Sequence, residues 1–159
     1  MAKRSRFVTR DPRDRLEHLV RPEDPGFLLL RITNGWQREL DRSLAAVALT
    51  HRQYLVLSTV QRLQAEEDDA VSQRTIARAA HLDEGVTSRL VRNLEIRGWL
   101  SRGPDGIDSR ALRVIITTAG NRVLSDAHLI VHAASRAYLG MPEIVSALRG
   151  TVARPRFGA

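Results

Sequence analysis

One short stretch of this sequence, GPDGIDSRALR at residues 103–113, places a carboxylate and two guanidiniums beside the glycine and proline residues of a turn. The charged residues are Asp108, Arg110 and Arg113. A guanidinium binds phosphates and guanine edges, and a neighbouring carboxylate can hold its orientation. Three interpretations are open at this point: a solvated surface loop, an ion pair that stiffens the turn and contributes about 0–1 kcal/mol, or a projection that binds a polyanion.

A second set of polar and basic side chains lies at helical spacing between residues 83 and 97. At about 100° per residue, one side of this segment is apolar, and we expect it to face the core. Its residues are Thr87, Leu90, Val91 and Leu94. The residues of the opposite side are Gly85, Ser88, Arg89 and Arg92. Arginine forms bidentate bonds to guanine, serine serves several acceptors, and glycine permits close approach, so this side suits the major groove of DNA, although a solvated helix face is the alternative.

The elements that position these side chains follow from the periodicity of apolar residues and from capping residues. The predicted helices are Pro25 to about Ala46, 51–64, 73–80, 83–97, a long helix after Thr117, and a short last helix from Pro142. Two short strands, Trp99–Arg102 and Ala111–Ile116, form a hairpin around the turn, and the acidic segment AEEDDA is predicted to be a loop. The predicted fold class is therefore mainly α with a small β-wing (α+β): a winged helix-turn-helix flanked by N- and C-terminal dimerisation helices.

We expect one folded domain between two tails, because 159 residues suffice for one hydrophobic core and both ends are polar. The predicted limits are a basic mobile arm at 1–24, a single domain at 25–149 and a disordered tail at 150–159. Within the domain, residues 49–117 form the winged module, and residues 25–48 and 118–149 form dimerisation helices. Because those helices are apolar along one side and too long for the module to cover, a two-fold dimer is expected.

Composition narrows the classes of function. The net charge is +7 and Lys3 is the only lysine, which favours a nucleic-acid or other anionic partner, although a GC-rich genome also enriches arginine. The absence of cysteine excludes disulfides, cysteine zinc sites, cysteine nucleophiles and thiol redox sensing. No secretory signal, membrane-spanning run, nucleophile elbow, phosphate-binding glycine loop or HExxH motif is present in the sequence. We therefore expect a cytoplasmic protein that is not an enzyme, has no cofactor and has no membrane partner.

Most of the chain resembles the MarR family of bacterial transcriptional regulators. The resemblance is carried by three segments: LTHRQYLVLSTV at the second helix, SQRTIARAAHLDEGVTSRLVRNLEIRGWLSR at the helix-turn-helix, and DSRALRVIITTAG at the wing. It implies a homodimeric repressor that binds a pseudo-palindromic operator in double-stranded DNA, in a bacterial cytoplasm and associated with the nucleoid when bound. It also implies that Arg110 enters the minor groove with Asp108 orienting it, and that Ser88, Arg89 and Arg92 contact bases and phosphates.

The resemblance further implies release from DNA by a small, often aromatic ligand that binds between the dimer helices and the winged module. The residues predicted to line that site are Trp36, Leu40, His51 and Tyr54. Aromatic residues at helical spacing are also typical of a core, so a packing role is the alternative. His128 and His132 have a spacing that can bind zinc, which leaves a metal-responsive regulator open. A third class is a winged-helix adaptor that binds proteins and reads no DNA sequence.

Replacement of the wing arginine, Arg110→Ala, should weaken DNA binding several-fold at fixed salt, chiefly on sites with A·T-rich flanks. The reason is that a narrow minor groove concentrates negative potential. Arg113 is expected to contact phosphate, and Asp108 to brace one of the two arginines. Titration of labelled duplexes with wild type and variant at two salt concentrations measures the effect. Equal affinities at both concentrations would contradict the wing assignment.

Overall fold

A computed structural model describes residues 24–67, 71–104 and 112–140, together with residues 145, 146 and 149. Four predictions lie outside the described residues: the N-terminal arm, the wing tip with Asp108 and Arg110, the start of the last helix at Pro142, and the C-terminal tail. By its internal packing the chain forms two compact units, one ending at Trp36 and the other beginning at Gln37.

The described elements are five α-helices and three short strands. They are the helices α1 (Pro25–Leu44), α2 (His51–Glu67), α3 (Gln73–Ala79), α4 (Glu84–Ile96) and α5 (Thr118–Leu139), and the strands β1 (Val71–Ser72), β2 (Leu100–Pro104) and β3 (Leu112–Ile116). One turn of 3₁₀ helix, Ala45–Val47, precedes the connection to α2. A helix pair followed by a hairpin and a further helix is the predicted winged helix-turn-helix, so the predicted fold class is confirmed.

Two details of the sequence-based prediction are wrong. α2 continues to Glu67, so the first three residues of the segment AEEDDA belong to a helix and not to a loop. Alanine and glutamate are good helix formers, and Glu66 of the extension pairs at 2.8 Å with Arg62 of the preceding turn. β1 was not predicted, because a strand of two residues is too short to show an alternation of apolar and polar positions.

The strands form a three-stranded antiparallel sheet in the order β1-β3-β2. Val114 of the central strand lies opposite Val71 of β1 and opposite Arg102 of β2. Val71 and Val114 are both buried, whereas Arg102 is half-buried. The sheet therefore joins the hairpin to the start of α3, and the wing has a buried base.

The core is built from one side of each helix and from the strands. Its buried members include Leu40, Leu44, Leu49, Val56, Leu57, Val60, Leu63, Val71, Ile76, Val91, Leu94, Leu100, Val114 and Leu124. The spacing of Tyr54, Leu57, Val60 and Leu63 predicts that all four lie on one inward side of α2. Leu57, Val60 and Leu63 are buried in agreement with this prediction, while Tyr54 is half-buried. Each such aliphatic side chain contributes about 1.5–3 kcal/mol by leaving water.

Side-chain caps begin the helices at the positions that the sequence predicts. The capping residues are Thr50, Ser72, Asp83 and Thr117. An oxygen of each accepts a hydrogen bond from a backbone N–H of the first turn, a contact that stabilises a helix by about 1 kcal/mol. α4 ends at Gly98, which has a φ of 71°, and Trp99 N–H donates to Leu94 O at 2.9 Å. A glycine directly after a predicted helix indicates its end, and the structure confirms this prediction for Gly98.

The start of α5 lies very close to the end of α4. Thr117 donates from Oγ1 to the Gly98 carbonyl oxygen at 2.7 Å and accepts from Gly120 N–H at 3.0 Å. A Cβ on Gly120 would lie 2.1 Å from the Trp99 carbonyl oxygen, well inside van der Waals contact. Glycine at this position is therefore what permits the two helix ends to meet.

Replacing this glycine, Gly120→Ala, should lower the free energy of unfolding by about 1–3 kcal/mol, since the added methyl group overlaps a backbone atom and α5 must shift. Gly103→Ala is the matched control, because a Cβ at Gly103 meets no atom within 4 Å. Urea unfolding followed by circular dichroism compares the three proteins. Equal stability of Gly120→Ala and wild type would show that the close approach is not required.

Candidate nucleic-acid interface

A tight turn between α3 and α4 sets the direction in which α4 leaves the turn. His81 has a φ of 51°, and Leu82 N–H donates to Ala77 O at 2.9 Å, so α3 ends abruptly. Asp83 then starts α4, because its Oδ1 accepts from Gly85 N–H at 2.8 Å. This cap compensates for the low helix propensity of a glycine in the first turn.

One side of α4 is enclosed by the rest of the winged module. Thr87, Val91 and Leu94 have no exposed surface, and Leu90 is half-buried. Thr87 satisfies its hydroxyl by donating from Oγ1 to Asp83 O at 2.9 Å. The predicted core-facing side of this helix is therefore confirmed, including its one polar member.

The opposite side of α4 carries the side chains that the sequence analysis selected for DNA contact. Gly85, Arg89 and Arg92 are exposed, and Ser88 is half-buried. The sorting of these residues onto the solvent side agrees with the helical periodicity. These side chains are accessible to a partner, and their contact with DNA remains a prediction.

Two further residues of this side were missed by the sequence analysis. Ile96 is 79% exposed and, at about 100° per residue, points within about 20° of Gly85. Asn93 is exposed and lies four residues after Arg89, so it flanks the same side. Continuing the helical periodicity beyond Arg92 would have found both. An exposed isoleucine there can contact the methyl group of thymine.

Polar contacts attach the C-terminal half of α4 to its neighbours. Arg97 donates from Nη1 to the Ala48 carbonyl oxygen, and its guanidinium lies 4.7 Å from the centre of the Trp99 ring. Arg102 of β2 donates from Nε to Glu95 Oε2 at 2.7 Å. Because both partners of this ion pair are largely shielded from solvent, the pair links α4 to the wing more firmly than an exposed pair would.

A side-chain amide contact attaches α4 to α2. Gln53, in the first turn of α2, donates from Nε2 to Asn93 Oδ1 at 2.7 Å. An equivalent contact joins α2 to the start of α5, where Gln61 donates from Nε2 to Asn121 Oδ1 at 2.9 Å. α2 is therefore the element against which both α4 and α5 are oriented.

The wing is described only at its base. Arg113 is half-buried in β3, where it lies opposite Gly103 of β2 and opposite Ser72 of β1. Asp108 and Arg110 lie outside the described residues. Their roles, and the phosphate contact expected of Arg113, remain predictions.

The predicted effector residues differ in their surroundings. Leu40 is 3% exposed and belongs to the core, and Trp36 is half-buried in the unit that it ends. The half-buried His51 approaches both carboxylate oxygens of Asp41 with its Nδ1 at 2.9 Å. Tyr54 lies beside it along α2 and is half-buried. Ligand binding by these residues remains a prediction.

Tyr54 packs edge-on against His128 of α5, with ring centres 5.5 Å apart and an angle of 88° between the rings. Burial raises the pKa of the Tyr54 hydroxyl above its ordinary value, so this group is a neutral donor at physiological pH. His128 and His132 are the two residues of α5 whose spacing is compatible with zinc binding. Within the described residues, no group of three or more His, Cys, Asp or Glu side chains is arranged to hold a metal ion.

None of the helices in the described parts of the chain is both long and apolar enough to cross a membrane.

A sequence profile described as the MarR family matches residues 49–111. The uncharacterised HTH-type transcriptional regulator YdcH of Bacillus subtilis (strain 168) is 31% identical over 114 residues, which is 72% of this chain and 77% of that protein.

Solved structures of similar sequence share the fold. CouR from Rhodococcus jostii RHA1, bound to p-coumaroyl-CoA, is 32% identical, with a TM-score of 0.71 over 86% of this chain and 96% of that chain. A transcriptional regulator of the MarR family from Rhodococcus sp. RHA1 is 31% identical, with a TM-score of 0.72 over 84% of this chain and 93% of that chain.

Arg89→Ala and Arg92→Ala should each weaken binding to a preferred duplex by about 1–3 kcal/mol and relax the preference at one base pair, because a bidentate contact to guanine is lost. Arg62→Ala is the control, since Arg62 is an exposed arginine of α2 paired with Glu66. Fluorescence anisotropy with matched and single-base-changed duplexes measures both effects. A uniform loss on all sequences would make the residue a phosphate contact, and unchanged affinity would remove it from the interface.

Proposed function

Because this chain belongs to the MarR family of transcriptional regulators, we propose that it is a homodimeric repressor that binds a pseudo-palindromic DNA operator and is released by a small ligand. Membership of the family makes the chain a regulator and not an enzyme. The observation that carries the proposal is that Arg89 and Arg92 are exposed on one side of α4, while the other side carries the buried Thr87, Val91 and Leu94.

The dimensions and charge of α4 suit the major groove. An α-helix with its side chains is about 10–12 Å across, and the major groove is about 12 Å wide. Arg89 and Arg92 supply guanidiniums at this surface, and the net charge of +7 favours association with a polyanion. Contacts to base edges require a fixed orientation of the helix. Because α4 is fixed by its buried side and carries two exposed arginines, it favours sequence-specific binding of DNA over non-specific binding.

Exposed apolar side chains support a second copy of the chain as partner. On α1 they are Phe27, Leu28, Leu29, Leu30 and Ile32. On α5, Leu129 is 74% exposed and Tyr138 is 43% exposed. Apolar surfaces of this kind are buried most simply by two-fold association, which also supplies the two recognition helices that a pseudo-palindromic operator needs.

A ligand with an aromatic group is the effector that the available residues suit best. CouR, a relative 32% identical to this chain, was solved with p-coumaroyl-CoA. In this chain the half-buried Tyr54 and His51 offer an aromatic surface, a hydroxyl donor and an imidazole beside Asp41. Aromatic rings with a polar group are bound by such mixed surroundings.

The intact chain should sediment as a dimer at micromolar concentration and bind duplexes selected from a random pool. Affinity should fall steeply with salt, with a slope of log K against log salt of about −0.9 for each phosphate neutralised. The selected sequences should contain two related half-sites about 10 base pairs apart, because each protomer presents one α4 to the same face of the duplex. Sedimentation velocity, the selection and a salt titration measure the three properties.

An adaptor without DNA readout would select no common sequence and would show no half-site spacing, and that result would replace the proposal. Once a duplex is selected, aromatic acids and their CoA thioesters can be screened for release of the DNA. Release by none of them would contradict the aromatic effector and leave the DNA-binding part of the proposal standing.

A further inference from the structure

The orientation of the Gln53 side chain is determined by a backbone donor. Thr50 N–H donates to Gln53 Oε1 at 2.8 Å, while Gln53 N–H donates to Thr50 Oγ1 at 3.3 Å, the reciprocal arrangement of a capping box. A backbone N–H can only donate, so the atom of the Gln53 amide that faces it must be the oxygen. The amide nitrogen of Gln53 therefore points in the other direction.

That nitrogen in turn determines the orientation of Asn93. Gln53 Nε2 donates to Asn93 Oδ1 at 2.7 Å, and an NH₂ group can only donate, so the oxygen of the Asn93 amide must face α2. The two branches of a side-chain amide diverge, which directs Asn93 Nδ2 away from Gln53. Asn93 is exposed and lies on the flank of the α4 side that carries Arg89 and Arg92.

We propose that Asn93 contacts the operator as a hydrogen-bond donor only, and that Gln53 is the positioning residue that imposes this polarity. The inference rests on the proposed DNA-binding function and adds a contact to it. The group that Asn93 binds is an acceptor: a phosphate oxygen, O6 or N7 of guanine, or O4 of thymine. The bidentate pairing of asparagine with adenine is disfavoured, because it uses the amide oxygen that already accepts from Gln53.

Gln53→Glu tests the inference without removing the cap of α2. A carboxylate at this position still accepts from Thr50 N–H and suits the first turn of a helix, so the fold should be retained. It cannot donate to Asn93, whose amide must rotate so that Nδ2 faces the carboxylate and Oδ1 faces the DNA. The outward group then changes from donor to acceptor, and affinity for the selected duplex should fall about tenfold.

The added negative charge also weakens DNA binding, so the effect is measured as a double-mutant cycle with Asn93→Ala. In the Asn93→Ala background, Gln53→Glu should lower affinity by less than about threefold, because only the charge term remains. Gln61→Glu is a matched control on the same helix: it adds the same charge and disturbs an equivalent amide pair, with Asn121, that is not on α4. It should lower affinity by no more than the charge term.

Each variant is first compared with wild type by thermal unfolding, so that a folding defect is recognised before binding is interpreted. If Gln53→Glu lowers the affinity for the selected duplex equally in the wild-type and the Asn93→Ala backgrounds, the inference is overturned and the DNA-binding proposal stands. Failure of the wild type to bind any duplex overturns both. Selection with Asn93→Ala distinguishes the acceptors: a preference relaxed at one position of each half-site identifies a base, and a uniform loss identifies a phosphate.

Discussion

Three buried side chains on one side of α4 fix the position of this helix and, through it, the geometry of the candidate site. Thr87, Val91 and Leu94 are enclosed on all sides. A tightly packed interior does not permit a helix to rotate about its axis, because these side chains would lose their contacts together. The direction of Arg89 and Arg92 is therefore a consequence of what lies beneath them. In the proposed complex with DNA, this fixed orientation of α4 reduces the conformational entropy lost on binding.

The first turn of α2 connects two parts of the molecule that a ligand-controlled regulator must couple. His51 binds the carboxylate of Asp41, and two residues later Gln53 holds the oxygen of Asn93 on α4. A ligand at His51 and Tyr54 would therefore act within one helical turn of Gln53, whose partner Asn93 flanks the proposed DNA surface. Displacement of this turn by a fraction of an ångström is enough to weaken a hydrogen bond of 2.7 Å, because such bonds depend steeply on geometry.

Much of the architecture was predictable because it depends on residues that are close in the sequence. The caps at Thr50 and Asp83 and the stop at Gly98 each require only one turn of chain, so local residue types suffice. The end of α2 at Glu67 was not predictable in this way, because an acidic run is compatible with either a helix or a loop. β1 depends on pairing with Val114, a residue far along the chain.

The candidate site shows the same division between features set within one helix and features set by contacts between elements. Helical periodicity alone placed Arg89 and Arg92 on the side opposite Leu94, since the angle between residues of one helix does not depend on its neighbours. The polarity of Asn93 required the structure, because its partner Gln53 is 40 residues away and meets it only after α2 and α4 have packed. The need for glycine at position 120 has the same origin, since the atom that excludes a side chain there is the carbonyl oxygen of Trp99, which lies outside α5.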